Sequence, residues 1–262
     1  MAPMEFSRYV AIGDSFSEGV GDPDPTRPNG LRGWADRVAE VLAGRSEDFG
    51  YANLAIRGRK LGPILAEQLE PALALGPDLV TSYAGANDIL RPRVDIDALA
   101  TAYDEAVGRM VASGATVVLF TAFDAGGSAI YRPIRGRFAL YTEAVREISE
   151  RHGTLLVDFW RMREYRDWGY WDTDRMHLGP AGHQHMAMQV LDVLGVPHQL
   201  QDLPPTAHPE LSGRELRAQN LEWARTHAVP WVHRRLTGRS SGDSVSPKRP
   251  TLAPIEPASR VG

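Results

Sequence analysis

Cysteine is missing altogether from this sequence of 262 residues. Without it the chain cannot form a disulfide, use a thiolate nucleophile, or bind zinc or an iron–sulfur cluster through sulfur. The absence also fits a reducing compartment. An excess of basic charge is missing as well, because the formal net charge is -4. Nucleic acid is therefore not expected as a partner, since phosphate binding needs a cationic face.

Long apolar segments are absent too. No apolar run approaches the roughly 18 residues that a membrane-spanning helix needs, so no integral membrane association is expected. The first strand-like segment, Tyr9–Ile12, is too short for the apolar core of a signal peptide. These observations predict a cytoplasmic protein, unless a leader was removed before the first residue. Glycine-rich nucleotide motifs of the dinucleotide-binding and P-loop types are also missing, so neither role is supported.

What the sequence does contain is an alternation of short apolar runs with stretches of helical periodicity. The runs are Tyr9–Ile12, Tyr51–Ile56, Leu79–Tyr83, Val117–Phe120 and Leu155–Val157. Five continuous apolar strands separated by amphipathic helices predict an α/β fold, with a parallel sheet covered by helices on both faces. Ligands of such sheets bind beyond the carboxyl ends of the strands. Functional residues should therefore follow strands.

The composition divides the chain into three parts. Residues 1–200 carry the alternating pattern and form the predicted catalytic domain. Residues 201–239 form a predicted helical extension, because Ser212 and Glu215 make a capping box ahead of a helix from about Gly213 to Thr226. This extension would also allow a homodimer. Residues 240–262 contain no aromatic residue and are predicted to be a disordered tail.

A candidate nucleophile follows the first strand in Gly13-Asp14-Ser15. A serine hydroxyl is a poor nucleophile unless a base accepts its proton, so a histidine is required. His177 fits this role best, because Asp174 stands three residues before it and can orient the ring through Nδ1. A turn that merely leaves a strand and an Asp–His pair that caps a loop are the structural alternatives.

The other seven histidines receive no role. His183 and His185 suggest a metal site near His177, but residues two apart on a helix point in opposing directions and cannot share one ion. We therefore expect neither a metal nor another cofactor. Acyl transfer also needs hydrogen-bond donors for the oxyanion. Asn87 follows the third strand and Gly58 the second, and both suit this purpose.

Four sequence features occur in a fixed order: Gly13-Asp14-Ser15 after the first strand, Gly58 after the second, Asn87 after the third, and Asp174 with His177 before the last helix. In this order they resemble the motifs of the SGNH hydrolase superfamily, also called the GDSL family. The resemblance covers about residues 6 to 195, and its named residues are Ser15, Gly58, Asn87 and His177, with Asp174 as the fifth. It implies a flavodoxin-like three-layer α/β/α sandwich with five parallel strands in the order 2-1-3-4-5. It also implies an oxyanion hole formed by the Ser15 and Gly58 N–H groups and the Asn87 side chain, and ester cleavage without a metal.

The expected function is hydrolysis of carboxylic esters through a covalent acyl-enzyme, with a small-molecule ester as substrate. An acyltransferase with the same residues is the first alternative, and a catalytically idle binding module is the second. Arg57, Trp168 and Trp171 are candidate substrate-binding residues. The loops 23–32 and 123–137 are rich in polar and small residues, which favours short acyl chains of roughly two to eight carbons on a polar alcohol such as a sugar.

Overall fold

The computed structural model describes residues 5–128, 131–207, 212–230, 233, 237 and 239–258. Its strands are β1 (Arg8–Gly13), β2 (Gly50–Asn53), β3 (Leu79–Tyr83), β4 (Thr116–Phe120), β5 (Leu155–Val157) and β6 (Arg249–Ala253). The α-helices are α1 (Ser15–Glu18), α2 (Gly33–Ala43), α3 (Leu61–Ile64), α4 (Glu70–Ala74), α5 (Ala86–Ile89), α6 (Ile96–Ala112), α7 (Arg135–His152), α8 (Pro180–Val193) and α9 (Gly213–Trp223).

The strands form one sheet in the order β5-β4-β3-β1-β2-β6. The first five are parallel, in the order that the resemblance implies, and each overlaps one of the five predicted apolar runs. Two apolar layers cover the sheet. One contains Trp34 and Val38 of α2 with Val190 of α8, and the other contains Tyr103 of α6 and Phe138 of α7. This confirms the three-layer α/β/α fold.

The sixth strand corrects the prediction for the tail. Residues 240–262 were expected to be disordered and the sheet to have five strands, but β6 pairs antiparallel with β2. Two buried side chains anchor the tail, and amino-acid composition alone does not indicate that they are buried. Ile255 is buried in the apolar layer under α2, and the Lys248 ammonium lies 2.8 Å from the carboxylate of Asp36 with both side chains fully buried. Residues 259–262 lie outside the described part.

The buried pair leads to a prediction about stability. Lys248→Met would leave the Asp36 carboxylate buried without its cation, and among the described residues the Tyr51 hydroxyl would be its remaining side-chain donor, at 2.9 Å. We expect a loss of about 3–5 kcal/mol in the free energy of unfolding, measured by denaturant titration. Lys60→Met is the matched control, because Lys60 is exposed, and it should cost less than about 0.5 kcal/mol. Equal losses in the two variants would contradict the anchoring role.

No helix in the described ranges is both long and apolar enough to cross a membrane.

Candidate active site

Ser15 lies where β1 ends. Asp14 caps α1, accepting a hydrogen bond from the Phe16 N–H at 3.0 Å, and Ser15 is the first residue of that helix. Gly13 makes this turn possible, because its φ is +144° and a Cβ there would lie 2.5 Å from the Tyr83 carbonyl oxygen of β3. The serine is thus presented at the carboxyl edge of the sheet.

Gln68 fixes the position of this turn, although the sequence analysis did not single it out. Its side chain accepts from the Gly13 N–H at 2.8 Å and donates to the Gly13 carbonyl at 2.9 Å. Gln68 is buried and therefore holds the residue two positions before Ser15 at both of its backbone polar groups. It belongs to no motif, so only the tertiary contact identifies it.

The loop before α8 brings Asp174 and His177 together. The Asp174 Oδ2 atom lies 2.5 Å from His177 Nδ1, and Oδ1 accepts from the backbone N–H groups of Met176 and His177 at 2.8 and 3.0 Å. A carboxylate only accepts hydrogen bonds, so Nδ1 carries the hydrogen and Nε2 of the neutral ring presents its lone pair. Within the described residues, Nε2 has no hydrogen-bond partner.

The two groups of this pair stabilise each other's charge. Burial lowers the pKa of His177, but the hydrogen bond to Asp174 and the charge of that carboxylate outweigh it, so the pKa is raised above its ordinary value. Burial raises the pKa of Asp174, but the hydrogen bonds from His177 and from the backbone outweigh it, so this pKa is lowered. Asp174 is thus ionised at neutral pH and favours a proton on the imidazole.

One cleft of about 410 Å³ is lined by all five residues that the sequence singles out, namely Ser15, Gly58, Asn87, Asp174 and His177. In the described part of the chain, no hydrogen bond joins Ser15 Oγ to His177 Nε2. Catalytic hydrogen bonds are often long before substrate binds. The structure therefore brings the predicted residues to one place without closing the contact between serine and histidine.

Asn87 is held by two acceptors. Its side-chain amide donates to Asp14 Oδ2 at 2.9 Å and to the Arg59 carbonyl oxygen at 3.0 Å. Burial raises the pKa of Asp14 to about 7. The amide thus lies in the cleft with both hydrogens engaged, next to a carboxyl group that titrates near neutrality.

Gly58 lies close to the C-terminal segment. Its φ is +74°, and a Cβ at this position would collide with the hydroxyl of Ser240 and lie 3.1 Å from that of Ser241. Glycine is therefore required here both by the backbone and by the space. Among the residues that the structure describes, none accepts a hydrogen bond from the N–H of Gly58 or of Ser15, which leaves both donors free for a ligand.

The three candidate substrate-binding residues differ in their placement. Arg57 lines the cleft, but its guanidinium is paired with Glu18, which is buried, at 2.5 Å. Trp171 lines the cleft as well. Trp168 does not, because its ring packs 6.1 Å from that of Trp171 and lines a smaller neighbouring cavity instead.

The C-terminal extension contributes a wall of the cleft that sequence reasoning missed. Its lining residues are Thr226, His227 and Pro230, and Ser241 of the tail lines the cleft as well. The predicted capping box and the helix after it are present as α9. The Trp223 indole N–H donates to the Asp174 carbonyl oxygen at 3.0 Å, so the extension also touches the loop that carries His177. No motif marks these residues, since they reach the site only through packing between distant segments.

The histidines that suggest a metal have other partners. His183 is fully buried, where Nδ1 accepts from the Trp34 N–H at 3.2 Å and Nε2 donates to the Val20 carbonyl at 3.1 Å. His185 contacts Asp202 at 3.0 Å. Across the described ranges, no three histidine, aspartate or glutamate side chains are grouped as metal ligands.

The profile of the GDSL-like lipase/acylhydrolase family matches residues 11–185. The chain belongs to this family. No match was found among curated protein sequences.

Solved structures of the same fold include three enzymes. LAE5, an alpha/beta hydrolase from the metagenome of Lake Arreo in Spain, is 25% identical with a TM-score of 0.60, and the match covers 72% of this chain and 95% of that one. The acetylxylan esterase Axe2 of Geobacillus stearothermophilus is 23% identical with a TM-score of 0.61, covering 75% and 98%. The acetyl xylan esterase AlAXEase is 18% identical with a TM-score of 0.57, covering 70% and 98%. The family supports ester hydrolysis at a general level, and these neighbours show the same fold.

Proposed function

We propose that this protein is a metal-independent serine hydrolase of carboxylic esters, acting through a covalent acyl-enzyme. The observation that carries the proposal is the Asp174–His177 pair, with its 2.5 Å contact, in one cleft with Ser15 at the end of β1. Asp174 leaves Nε2 of the ring as the proton acceptor, and Ser15 supplies the nucleophile.

The reaction would run in two halves. Ser15 Oγ attacks the acyl carbon while His177 Nε2 accepts the hydroxyl proton, and the same proton then leaves with the alcohol as the C–O bond breaks. Water next attacks the acyl-enzyme, giving up a proton to His177, and the acid departs as Ser15 recovers its hydrogen. The negative charge of Asp174 stabilises the imidazolium that forms in each half.

The developing oxyanion would be stabilised by backbone donors. The N–H groups of Ser15 and Gly58 have no acceptor among the described residues, as an oxyanion hole requires. Asn87 would join them when one of its amide hydrogens, now bonded to Asp14, turns toward the substrate. Because Asp14 has a pKa of about 7, its carboxyl group can lose its charge, and so release this hydrogen, close to neutral pH.

The alcohol part of the substrate is proposed to be polar, such as a sugar. Two observations support this. Arg57, Thr226, His227 and Ser241 give the cleft polar groups on the side of β2 and the extension. Structural neighbours include enzymes named acetylxylan esterases, whose substrates are acylated sugars.

The proposal is tested by incubating the purified protein with p-nitrophenyl esters and with a peracetylated sugar, with and without EDTA. We expect release of acid and alcohol at the same rate in both conditions, and a single fluorophosphonate adduct by mass spectrometry. Added glycerol should not appear as an acylated product. Activity lost with EDTA and restored by zinc, or transfer to glycerol in preference to water, would contradict the proposal.

A further inference from the structure

One side of the cleft is lined by aromatic residues that come after β4 and β5 in the chain. We call the five rings there the aromatic pocket; they are Phe123, Tyr131, Phe138, Phe159 and Trp171, and all line the cleft. The sheet order places β1, with Ser15 at its end, between β2 on one side and β3, β4 and β5 on the other. An ester bound at Ser15 therefore has one part toward the polar β2 side and the other toward the aromatic pocket.

Phe123 is the centre of this pocket. Its ring centroid lies 5.0 Å from Phe138, 5.1 Å from Trp171, 5.8 Å from Tyr131 and 6.1 Å from Phe159. Those four rings are buried, whereas Phe123 is half-buried. The pocket walls are thus fixed by packing, and Phe123 is the most exposed of the five rings.

Asp124, the residue after Phe123, does not line the cleft but forms ion pairs with three arginines. Asp124 is bound by Arg135 at 2.6 Å, by Arg163 at 2.7 Å and by Arg166 at 3.0 Å. This ion cluster lowers the pKa of Asp124, although its burial acts in the opposite direction. The loop 123–137 therefore does not make the cleft polar, as its composition suggests, because Phe123 and Tyr131 line the cleft, Asp124 and Arg135 pair with each other, and Arg137 donates to the carbonyl oxygens of Arg91 and Pro92.

Phe123 also separates the cleft from a second, much smaller cavity. Phe123, Tyr131 and Trp171 line both spaces, and the small cavity continues toward Trp168 and Arg166. These three rings therefore form the end of the aromatic pocket, and removing Phe123, which contacts the other four rings, would enlarge the pocket toward the small cavity.

We propose that the aromatic pocket binds the acyl part of the substrate, that this acyl group is apolar and of medium length, roughly six to eight carbons, and that Phe123 sets the upper limit of its length. This inference rests on the proposed function. An acetyl group would reach only the rings next to Ser15. A chain of medium length would bury several methylene groups against the rings of the aromatic pocket, and each buried methylene group adds to the binding free energy.

The test is kcat/KM on p-nitrophenyl acetate, butyrate, hexanoate, octanoate, dodecanoate and palmitate, in which the leaving group is constant. For the wild-type enzyme we expect kcat/KM to rise about threefold to fourfold per added methylene up to the optimum and then to fall. Phe123→Ala should move the optimum to dodecanoate, and Phe123→Trp should move it to butyrate. Leu140→Ala is the control, since Leu140 on α7 is 65% exposed, and its profile should match the wild type.

The outcomes separate this inference from the proposed function. An acetate optimum in the wild-type enzyme, or Phe123 variants that change all esters by one common factor, would overturn the pocket assignment and leave the esterase intact. Should Phe123→Ala not fold, Phe123→Leu keeps most of the packing and must still move the optimum to longer chains. A wild-type protein that cleaves none of the esters and takes no fluorophosphonate label would instead defeat the proposed function.

Discussion

Ester hydrolysis is expected to fall by a factor of about 10⁴ or more when Ser15 is replaced by alanine, because removal of a nucleophile from a cooperating triad costs that much. The substitution removes a single oxygen from the first turn of α1 and leaves the Asp14 cap in place. Fold and stability should therefore be unchanged, and the loss should appear in kcat. The measurement is single-turnover and steady-state hydrolysis of a p-nitrophenyl ester, with mass spectrometry after fluorophosphonate treatment.

Two other serines provide matched controls. Ser240 stands in the sequence Gly-Arg-Ser-Ser-Gly at 238–242, a Gly-x-Ser-x-Gly pattern, and Ser241 lines the cleft. Neither has a histidine partner among the described residues, and Ser240 Oγ instead donates to the Arg57 carbonyl at 3.4 Å. Ser240→Ala and Ser241→Ala should keep the fluorophosphonate adduct. An adduct that survives in Ser15→Ala and disappears in either of these variants would move the nucleophile to the C-terminal segment.

Loss of His177 is expected to be nearly as severe as loss of Ser15, because both take part in the same proton transfer of the proposed mechanism. His177→Ala should lower kcat by about 10⁴-fold or more, and Asp174→Asn by about 10²–10⁴-fold, since the asparagine still occupies the space but no longer stabilises the imidazolium. His152→Ala is a suitable control. His152 also contacts an aspartate, Asp104, at 2.9 Å, but it does not line the cleft.

The pH dependence of activity shows whether the charge of the Asp174 carboxylate acts on His177 or whether Asp174 has only a structural role. His177 acts as a base only when neutral, so activity is lost as the pH falls through its pKa. Asp174 raises that pKa, and removing the carboxylate should move the acidic limb of the profile to lower pH while the plateau falls. Asp14 titrates at about 7, so the wild-type limb is expected to reflect two groups rather than one. If the plateau activity of the Asp174 variant falls but its acidic limb does not shift, the charge of Asp174 does not raise the pKa of His177.

The parts of the fold and site that follow from sequence are those with a local cause. Strand runs are recognisable because a parallel strand buried on both faces is continuously apolar. Ser15, Asn87 and His177 could be placed because each stands directly after a strand or before a helix, where the topology brings the ends together. The Asp174–His177 contact spans three residues, so one loop suffices to form it.

The parts that could not be predicted depend on contacts between distant segments. Lys248 is a charged residue in a polar stretch, and its burial is tolerable because it pairs with Asp36 and donates to the Arg32 carbonyl oxygen. Gln68 acts through two hydrogen bonds to the backbone of Gly13, and Trp223 through one to the backbone of Asp174, and both partners are far away in the sequence. Loop 123–137 was misinterpreted for the same reason, because composition does not tell which of its side chains face the cleft and which pair with one another.

The pairing of β6 with β2 means that one edge of the sheet is completed late in the synthesis of the chain. A ribosome makes β2 early and β6 only after almost all of the intervening chain, so the β2 edge keeps its unpaired N–H and C=O groups for most of translation. The same late residues include Thr226, His227 and Ser241 of the cleft. A nascent chain that carries Ser15 and His177 thus holds the reacting groups before it has the wall that encloses them. Such a chain would present an open site and a bare sheet edge, the two surfaces that a chaperone would have to cover.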